Sequence, residues 1–226
     1  MAARCLLYYI TDRWQLPGDE TARHRALLDK IGEAARAGVD FVQLREKDLS
    51  TRELEALARE AVGIVREART ESPQGTATRL LINSRTDVAL AAGADGVHLR
   101  SDDVSASTVR SVWKAAFAGD AQAAERGPVV AVSCHSLDDV RRAESEGADF
   151  CVFAPVFEKK AAPEARPQGL AALREVCGAR IPVLALGGIT MENAASCLAA
   201  GAAGVAGIRL FQENRIEEVV RALRAV

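Results

Sequence analysis

Two cationic side chains and one amide alternate along the run Val-Gln-Leu-Arg-Glu-Lys at residues 42–47. If this run is a strand, its period of two residues places Gln43, Arg45 and Lys47 on one face. Arginine makes forked hydrogen bonds to phosphate oxygens, and lysine adds a point charge. The pattern therefore predicts a phosphate or diphosphate site. The alternative is that Arg45 pairs with a core carboxylate and that Lys47 is only solvated.

A second group of polar residues follows the next two aliphatic runs. Asn83 ends the first run and offers donors and an acceptor to a ligand, although Asn83 or Ser84 can equally cap a helix. His98 alternates with aliphatic neighbours, which is more typical of a hydrogen-bonded core histidine than of a catalyst. Asp102 and Asp103 follow the second run, and either can ligate a divalent cation that carries phosphate oxygens or cap the next helix.

Small residues end three later runs. Gly187, Gly188 and Gly207 carry no side chain, so a ligand can approach the backbone amides closely. Ser133 ends the first of these three runs and adds a hydroxyl. Arg209 follows the last glycine, where it either adds a charge to a phosphate site or faces solvent.

The elements that position these residues alternate between strand and helix patterns. The predicted strands, eight in number, are Leu6–Thr11, Asp40–Glu46, Arg79–Asn83, Gly96–Leu99, Val129–Cys134, Phe150–Val156, Val183–Gly187 and Gly204–Ile208. The predicted helices are Ala22–Ala37, Thr51–Ala68, Ser84–Ala92, Ser105–Ala118, Leu137–Ser145, Gly169–Cys177, Met191–Ala200 and Arg215–Val226. Residues 70–78 and 158–168 are rich in turn formers and are predicted loops.

Four near-repeats indicate how these elements are connected: Ala-Gly-Val-Asp-Phe-Val (37–42), Ala-Gly-Ala-Asp-Gly-Val (92–97), Glu-Gly-Ala-Asp-Phe-Cys (146–151) and Ala-Gly-Ala-Ala-Gly-Val (200–205). In each, a helix ends at a glycine suited to the left-handed cap, and a strand follows at once. Such βα units form an open doubly wound sheet or a closed barrel. Eight units in 226 residues favour the barrel. The prediction is an α/β protein with a single (β/α)8 TIM-barrel domain over residues 1–226.

Net charge, cysteine spacing and the length of apolar runs indicate which kinds of ligand and cellular location to expect. The formal net charge of −2 argues against a nucleic-acid surface. The cysteines, five in number, include no Cys-x-x-Cys pair, which favours reduced thiols over a zinc or disulfide framework. No apolar run is long enough to span a membrane or to act as a signal sequence. We therefore expect a cytoplasmic protein that binds small molecules and neither nucleic acid nor membrane.

Taken together, these residues resemble the thiamine phosphate synthase family and its TenI branch. The matching segments are residues 42–47, Asn83 with Arg85, Gly-Ala-Asp-Gly-Val-His-Leu (93–99), Val-Ser-Cys-His-Ser (132–136), Ala-Pro-Val-Phe (154–157) and Leu-Gly-Gly-Ile-Thr (186–190). They extend over nearly the whole chain, and their order and spacing are specific although each is short.

The resemblance implies a transferase that joins an aminopyrimidine diphosphate to a thiazole phosphate and releases pyrophosphate, with Mg²⁺ as cofactor. The implied catalytic residues are Arg45, Lys47, Ser133 and Lys159. The implied substrate-binding residues are Gln43, Asn83, Lys160, Gly187, Gly188, Gly207 and Ile208. Asp103 and Ser84 stand at the implied metal positions. A homo-oligomer such as a dimer is also compatible with the resemblance.

The chain departs from the family pattern at two places. Ser84 stands where the family usually has a magnesium-binding aspartate, and Asp87, Asp102 or Glu158 can supply the missing carboxylate. The loop after strand six reads Phe-Glu-Lys-Lys-Ala-Ala-Pro (157–163) and lacks the family's two threonines, so that Lys159 or Lys160 stands in for the usual lysine.

Three alternative functions stay open at this point. The first is a TenI-like thiazole tautomerase. That branch has a histidine before Val156-Phe157-Glu158, where this chain has Pro155, so another base such as His135 would be needed. The second is another phosphate-sugar barrel enzyme. The third is a protein that binds thiazole or thiamine phosphates without catalysis.

Overall fold

Eight parallel strands close into a barrel in the order β1 to β8, in a computed structural model that describes residues 4–71, 77–119, 127–158 and 166–225. The strands are β1 Leu6–Ile10, β2 Phe41–Leu44, β3 Arg79–Asn83, β4 Gly96–Leu99, β5 Val129–Cys134, β6 Phe150–Phe153, β7 Val183–Ala185 and β8 Gly204–Gly207. Each strand pairs with its sequence neighbours, and β8 pairs with β1. The predicted (β/α)8 TIM-barrel fold is confirmed.

Helices follow the strands around the outside of the barrel. They are α1 Glu20–Ala37, α2 Thr51–Glu71, α3 Thr86–Ala92, α4 Ala106–Ala116, α5 Leu137–Ser145, α6 Gly169–Val176, α7 Ala194–Ala199, α8 Arg209–Gln212 and α9 Ile216–Arg224. A 3₁₀ turn at Arg13–Gln15 precedes α1. The predicted left-handed glycines are present, with φ of 80° at Gly38 and 69° at Gly93, so the repeated αβ turn is confirmed.

Several predicted boundaries were wrong, mostly at the carboxyl ends of strands. Strand β6 ends at Phe153 rather than Val156, and β7 ends at Ala185 rather than Gly187. The residues beyond these ends are apolar or small, so their composition continues the strand pattern although the chain has already turned into the loops of the barrel mouth. Helix α8 was missed because it is a single turn. Predicted positions within 72–76, 120–126, 159–165 and at 226 lie outside the described residues.

Two apolar layers lie on either side of the strands. The barrel interior is filled by the side chains of Tyr8, Ile10, Leu81, Ala131, Phe150, Val152, Leu184 and Ala206. Val42 and Leu44 belong to the outer layer that packs against the helices, as the alternation in β2 predicts. Aromatic rings close the amino-terminal half of the interior, where Phe41 and Phe150 have ring centroids 4.5 Å apart. The open end of the barrel is therefore at the carboxyl ends of the strands.

Candidate active site

A cavity of about 690 Å³ opens at the carboxyl ends of the strands. Most of its lining comes from strand ends and the loops after them: Ile10, Gln15, Gln43, Arg45, Lys47, Asn83, His98, Arg100, Ser101, Asp102, Ser133, His135, Ala154, Leu186, Gly187, Gly188, Ile189, Ala206, Gly207, Ile208, Arg209 and Leu210. Most of the predicted site residues line this cavity. Lys159 and Lys160 lie outside the described residues.

The wall formed by β2 carries the predicted amide and both predicted cations. Gln43 is 2% exposed, and its Nε2 donates to Oδ1 of Asn83 at 3.1 Å. Arg45 and Lys47 lie further along the same face, and the pKa of Lys47 is lowered, mainly by the charge of Arg45 and then by burial and Arg100. Positive charges that crowd each other in this way favour an anion between them.

The carboxylate beside these cations pairs elsewhere. Oε1 of Glu46 accepts from the Thr11 hydroxyl at 2.6 Å, and Oε2 accepts from the backbone N–H and the guanidinium of Arg13. The same guanidinium binds Asp48 at 2.7 Å, which holds the pKa of Asp48 at about 2. We call Thr11, Arg13, Glu46 and Asp48 the β1/β2 corner.

The β1/β2 corner bears on the alternative proposed for Arg45. Within the described residues, the salt bridges of this corner run from Arg13, and neither Arg45 nor Lys47 takes part in one. The buried carboxylate nearest to Arg45 in sequence, Glu46, pairs with Arg13 instead. This pair is not evident from the sequence because Arg13 and Glu46 are 33 residues apart.

A buried chain of hydrogen bonds crosses the interior beneath the cavity. The Tyr8 hydroxyl lies 2.9 Å from Nδ1 of His98, and Nε2 of His98 lies 2.8 Å from Oγ of Ser133. Burial, followed by the charge of Arg45, lowers the pKa of His98 to about 3, so the imidazole is neutral near pH 7. Burial raises the pKa of Tyr8, which therefore keeps its proton. We assign the Tyr8 proton to a bond with Nδ1, which leaves Nε2–H to donate to Ser133.

His98 is thus a hydrogen-bonded core residue, as its alternation with aliphatic neighbours indicated. No sequence motif indicated Tyr8, whose hydroxyl reaches His98 from β1, 90 residues earlier in the chain. The chain of bonds fixes the orientation of the Ser133 hydroxyl at the cavity wall.

The two predicted metal positions lie together where β3 and β4 end. The Ser84 hydroxyl donates to Oδ2 of Asp103 at 2.6 Å, and the backbone N–H of Arg100 donates to the same oxygen at 2.7 Å. Arg100 also pairs through Nε with Asp102 at 2.9 Å. We call these four residues the β3/β4 corner. Among the described residues, no group of three or more His, Cys, Asp or Glu is arranged to hold a metal ion.

A second wall of the cavity is formed by the loops after β7 and β8. Gly188 has φ of +65°, and a Cβ there would lie 2.4 Å from the carbonyl oxygen of Glu158, so a side chain does not fit. Asn193 stabilises this loop, since its Nδ2 donates to the Gly188 carbonyl at 2.9 Å. Gly207 and Ile208 complete this wall, together with Leu186, Ile189, Arg209 and Leu210.

His135, the alternative base named from the sequence, forms a hydrogen bond with the backbone. Its Nδ1 lies 2.7 Å from the carbonyl oxygen of Ala154. Because a carbonyl only accepts, Nδ1 carries the proton, and Nε2 of the neutral ring is an acceptor. His135 also lines the cavity, at the end of β5.

Fold and site together define a (β/α)8-barrel protein with cations on one wall of its mouth and glycine-rich loops after β7 and β8 on another. Loops after the seventh and eighth strands frequently form the phosphate site of this fold. The family model described as "Thiamine monophosphate synthase" matches residues 7–211. The chain belongs to this family, and the family resemblance derived from its motifs is confirmed.

Individual relatives agree with the family. A thiamine-phosphate synthase of Roseiflexus sp. (strain RS-1) is 36% identical, over 98% of this chain and 84% of the relative. A thiamine-phosphate synthase of Methanoculleus marisnigri is 35% identical, over 96% of this chain and 93% of the relative. The solved structure of a thiamine phosphate pyrophosphorylase from Pyrococcus furiosus is similar with a TM-score of 0.75 and 28% identity, covering 99% of this chain and 95% of that one.

No helix in the described part of the chain combines the length and the apolar character that a membrane crossing requires.

Proposed function

We propose that this chain is a synthase of thiamine biosynthesis that joins an aminopyrimidine diphosphate to a thiazole phosphate and releases pyrophosphate. One observation carries the proposal: a single cavity has Gln43, Arg45 and Lys47 on one wall and the glycine-rich loops after β7 and β8 on the other. The reaction needs one site for a diphosphate and another for a phosphate monoester, with the reacting atoms between them.

The reaction breaks the bond between the pyrimidine methylene carbon and the diphosphate oxygen. Pyrophosphate leaves with the electron pair, and the thiazole nitrogen then gives its lone pair to the methylene carbon to form the new C–N bond. Arg45 and Lys47 stabilise the charge that develops on the departing oxygen, which is electrostatic catalysis by preorganised cations. No covalent nucleophile is required.

Ser133 orients the pyrimidine in this proposal. Its hydroxyl oxygen accepts from His98, so its own proton is available to a ring nitrogen of the substrate. Because His98 stays neutral well below pH 7, this hydrogen bond does not change over the physiological range. Asn83 holds Gln43 at the diphosphate end of the cavity.

We also propose a magnesium ion that arrives with the diphosphate. Ser84 and the Arg100 amide both bind Oδ2 of Asp103, which leaves Oδ1 as the carboxylate ligand. One carboxylate fits this metal, because Mg²⁺ is usually held by one or two carboxylates together with substrate phosphates and water. When bound, the ion would neutralise charge on the diphosphate. Ser84 acts here chiefly by orienting Asp103.

The decisive experiment is a coupling assay with both substrates, with and without magnesium, in which thiamine phosphate is measured by chromatography. Magnesium-dependent product supports the proposal. Absence of product at every magnesium concentration, with both substrates shown to bind by calorimetry, would refute synthase activity and leave a protein that binds without catalysis.

A second candidate is thiazole tautomerisation. It is favoured by His135, whose Nδ1 bond to Ala154 leaves Nε2 as a base at the cavity wall. An isomerisation assay on the thiazole phosphate, with the His135→Gln variant as control, separates this activity from coupling because it needs no pyrimidine.

A further inference from the structure

Arg100 lines the cavity, but neither the sequence motifs nor the proposed reaction gives it a role. It is the first residue after β4, and it lines the cavity together with Arg45 and Lys47. Its charge contributes to the lowered pKa of Lys47, after Arg45 and burial. Arg100 therefore acts on the same region of the cavity as the β2 cations.

The present partner of Arg100 is easily exchanged. The guanidinium binds Asp102 two residues ahead, and the two side chains are 56% and 66% exposed. An ion pair this exposed is weak because water competes for both charges and salt screens them. A diphosphate carries more charge than one carboxylate and offers several oxygens to the guanidinium fork.

The backbone beneath Arg100 is held in place. Its N–H donates to Oδ2 of Asp103 at 2.7 Å, and the Ser84 hydroxyl secures the same oxygen. A change of partner would therefore require rotation of the side chain only, without movement of the strand end.

We infer that Arg100 binds the diphosphate of the substrate, exchanging Asp102 for phosphate oxygens when the ligand enters. This inference rests on the proposed function, because it deepens the diphosphate site assigned there. The exchange also frees the Asp102 carboxylate, which lines the cavity and competes with the ligand for Arg100.

Calorimetry with inorganic pyrophosphate in the absence of magnesium tests the inference. Arg100→Ala is expected to weaken binding about tenfold or more, since a charge-assisted hydrogen-bonded pair is lost. The pyrophosphate affinity of Arg100→Lys is expected to lie between those of the wild type and Arg100→Ala, because lysine keeps the charge but lacks the forked guanidinium. Asp102→Asn is expected to tighten binding roughly threefold, the size expected when a competing exposed pair is removed.

The matched control is Arg59→Ala, which removes an arginine paired with Glu55 on the surface of α2, outside the cavity. Its pyrophosphate affinity is expected to equal that of the wild type. The inference is overturned if Arg100→Ala also binds like the wild type, or if the wild type has no affinity for pyrophosphate. It is also overturned if Asp102→Asn weakens binding as much as Arg100→Ala, because the pair would then be structural.

The coupling assay distinguishes this inference from the proposed function. If the wild type makes no thiamine phosphate but Arg100→Ala loses pyrophosphate affinity, the contact between Arg100 and the diphosphate is supported and the synthase activity is refuted. If the wild type makes thiamine phosphate and Arg100→Ala keeps its pyrophosphate affinity, the synthase activity is supported and the contact between Arg100 and the diphosphate is refuted. Thermal unfolding of each variant shows that the comparison is made between folded proteins.

Discussion

The β1/β2 and β3/β4 corners of the barrel mouth each pair an arginine with carboxylates, but they differ in burial. In the β1/β2 corner, the side chains of Arg13 and Glu46 are 4% and 1% exposed. In the β3/β4 corner, Arg100 and Asp102 are mostly exposed. Moving a buried charge leaves its partners unpaired away from water, whereas an exposed pair exchanges partners with little penalty. One corner is therefore built to fix the end of β2, and the other holds a charge that can rearrange.

Loss of the buried ion pair between Arg13 and Glu46 is expected to have the greatest effect. Arg13→Met leaves the Glu46 carboxylate buried without its guanidinium, so we expect the free energy of unfolding to fall by about 3 kcal/mol in urea titrations. The matched variant in the exposed corner, Arg100→Ala, is expected to leave the free energy of unfolding unchanged within error. Equal losses in the two variants would contradict the distinction between the corners.

The second prediction concerns the cations that the buried corner supports. Arg45→Ala is expected to lower kcat/KM for the diphosphate substrate about 100-fold, as expected when a preorganised group at the departing charge is removed. Its unfolding midpoint should stay near that of the wild type, because no carboxylate within the described residues forms a salt bridge with Arg45 and would lose its partner. A large loss of stability with little loss of kcat/KM would show that Arg45 is structural.

A third prediction uses pH and the buried His98, whose pKa Arg45 helps to lower. The folded pKa is about 3, and the unfolded pKa is about 6.5. The unfolded chain therefore binds the proton first, and stability that is complete above pH 6.5 is lost as the pH falls towards 3. Between pH 7 and pH 5 this one group should cost about 2 kcal/mol of unfolding free energy.

Urea titrations at pH 7 and pH 5 measure this loss. His98→Gln should remove most of it, and His24→Gln, at an exposed position on α1, should not. The assignment of a neutral buried imidazole fails if wild type and His98→Gln show the same change in unfolding free energy between the two pH values.

The last prediction concerns Ser84 in the exposed corner. Ser84 has φ of +56°, a left-handed conformation that aspartate tolerates better than most residues, so Ser84→Asp should fold without strain. A second carboxylate beside Asp103 is expected to lower the magnesium concentration for half-maximal activity by roughly tenfold. Ser84→Ala should raise it, since Asp103 loses the hydroxyl that orients it. An unchanged magnesium requirement in both variants would argue against a metal at this corner.

Much of the barrel could be predicted because its signals are local. The alternation of Gln43, Arg45 and Lys47 depends only on the geometry of one strand, and these side chains share the cavity wall. The glycine turns between helix and strand recur along the chain and indicate a repeated βα unit, and the strand-like runs predict eight such units. Strand ends were less predictable, because Leu186 and Val156 look like strand residues although they lie in the loops of the mouth.

The partners of the site residues could not be predicted in the same way. Glu46 follows Arg45 in sequence yet pairs with Arg13, and Ser84 binds Asp103 from the neighbouring strand end. Strand register and loop conformation determine which side chains meet across the strand ends. Neither can be read from a pattern in the sequence.

The fold, the charged face of β2 and the glycine loops after β7 and β8 follow from short-range periodicity and turn chemistry, so all three could be predicted from the residues. The difference between charges that are buried with a partner and charges that can exchange partners arises only when the barrel closes. Closing the barrel buries Arg13 with Glu46, links Tyr8 to His98 across 90 residues, and leaves Arg100 at the exposed rim. Burial sets how strongly each charge depends on its partner, and burial is a property of the closed barrel rather than of any one segment.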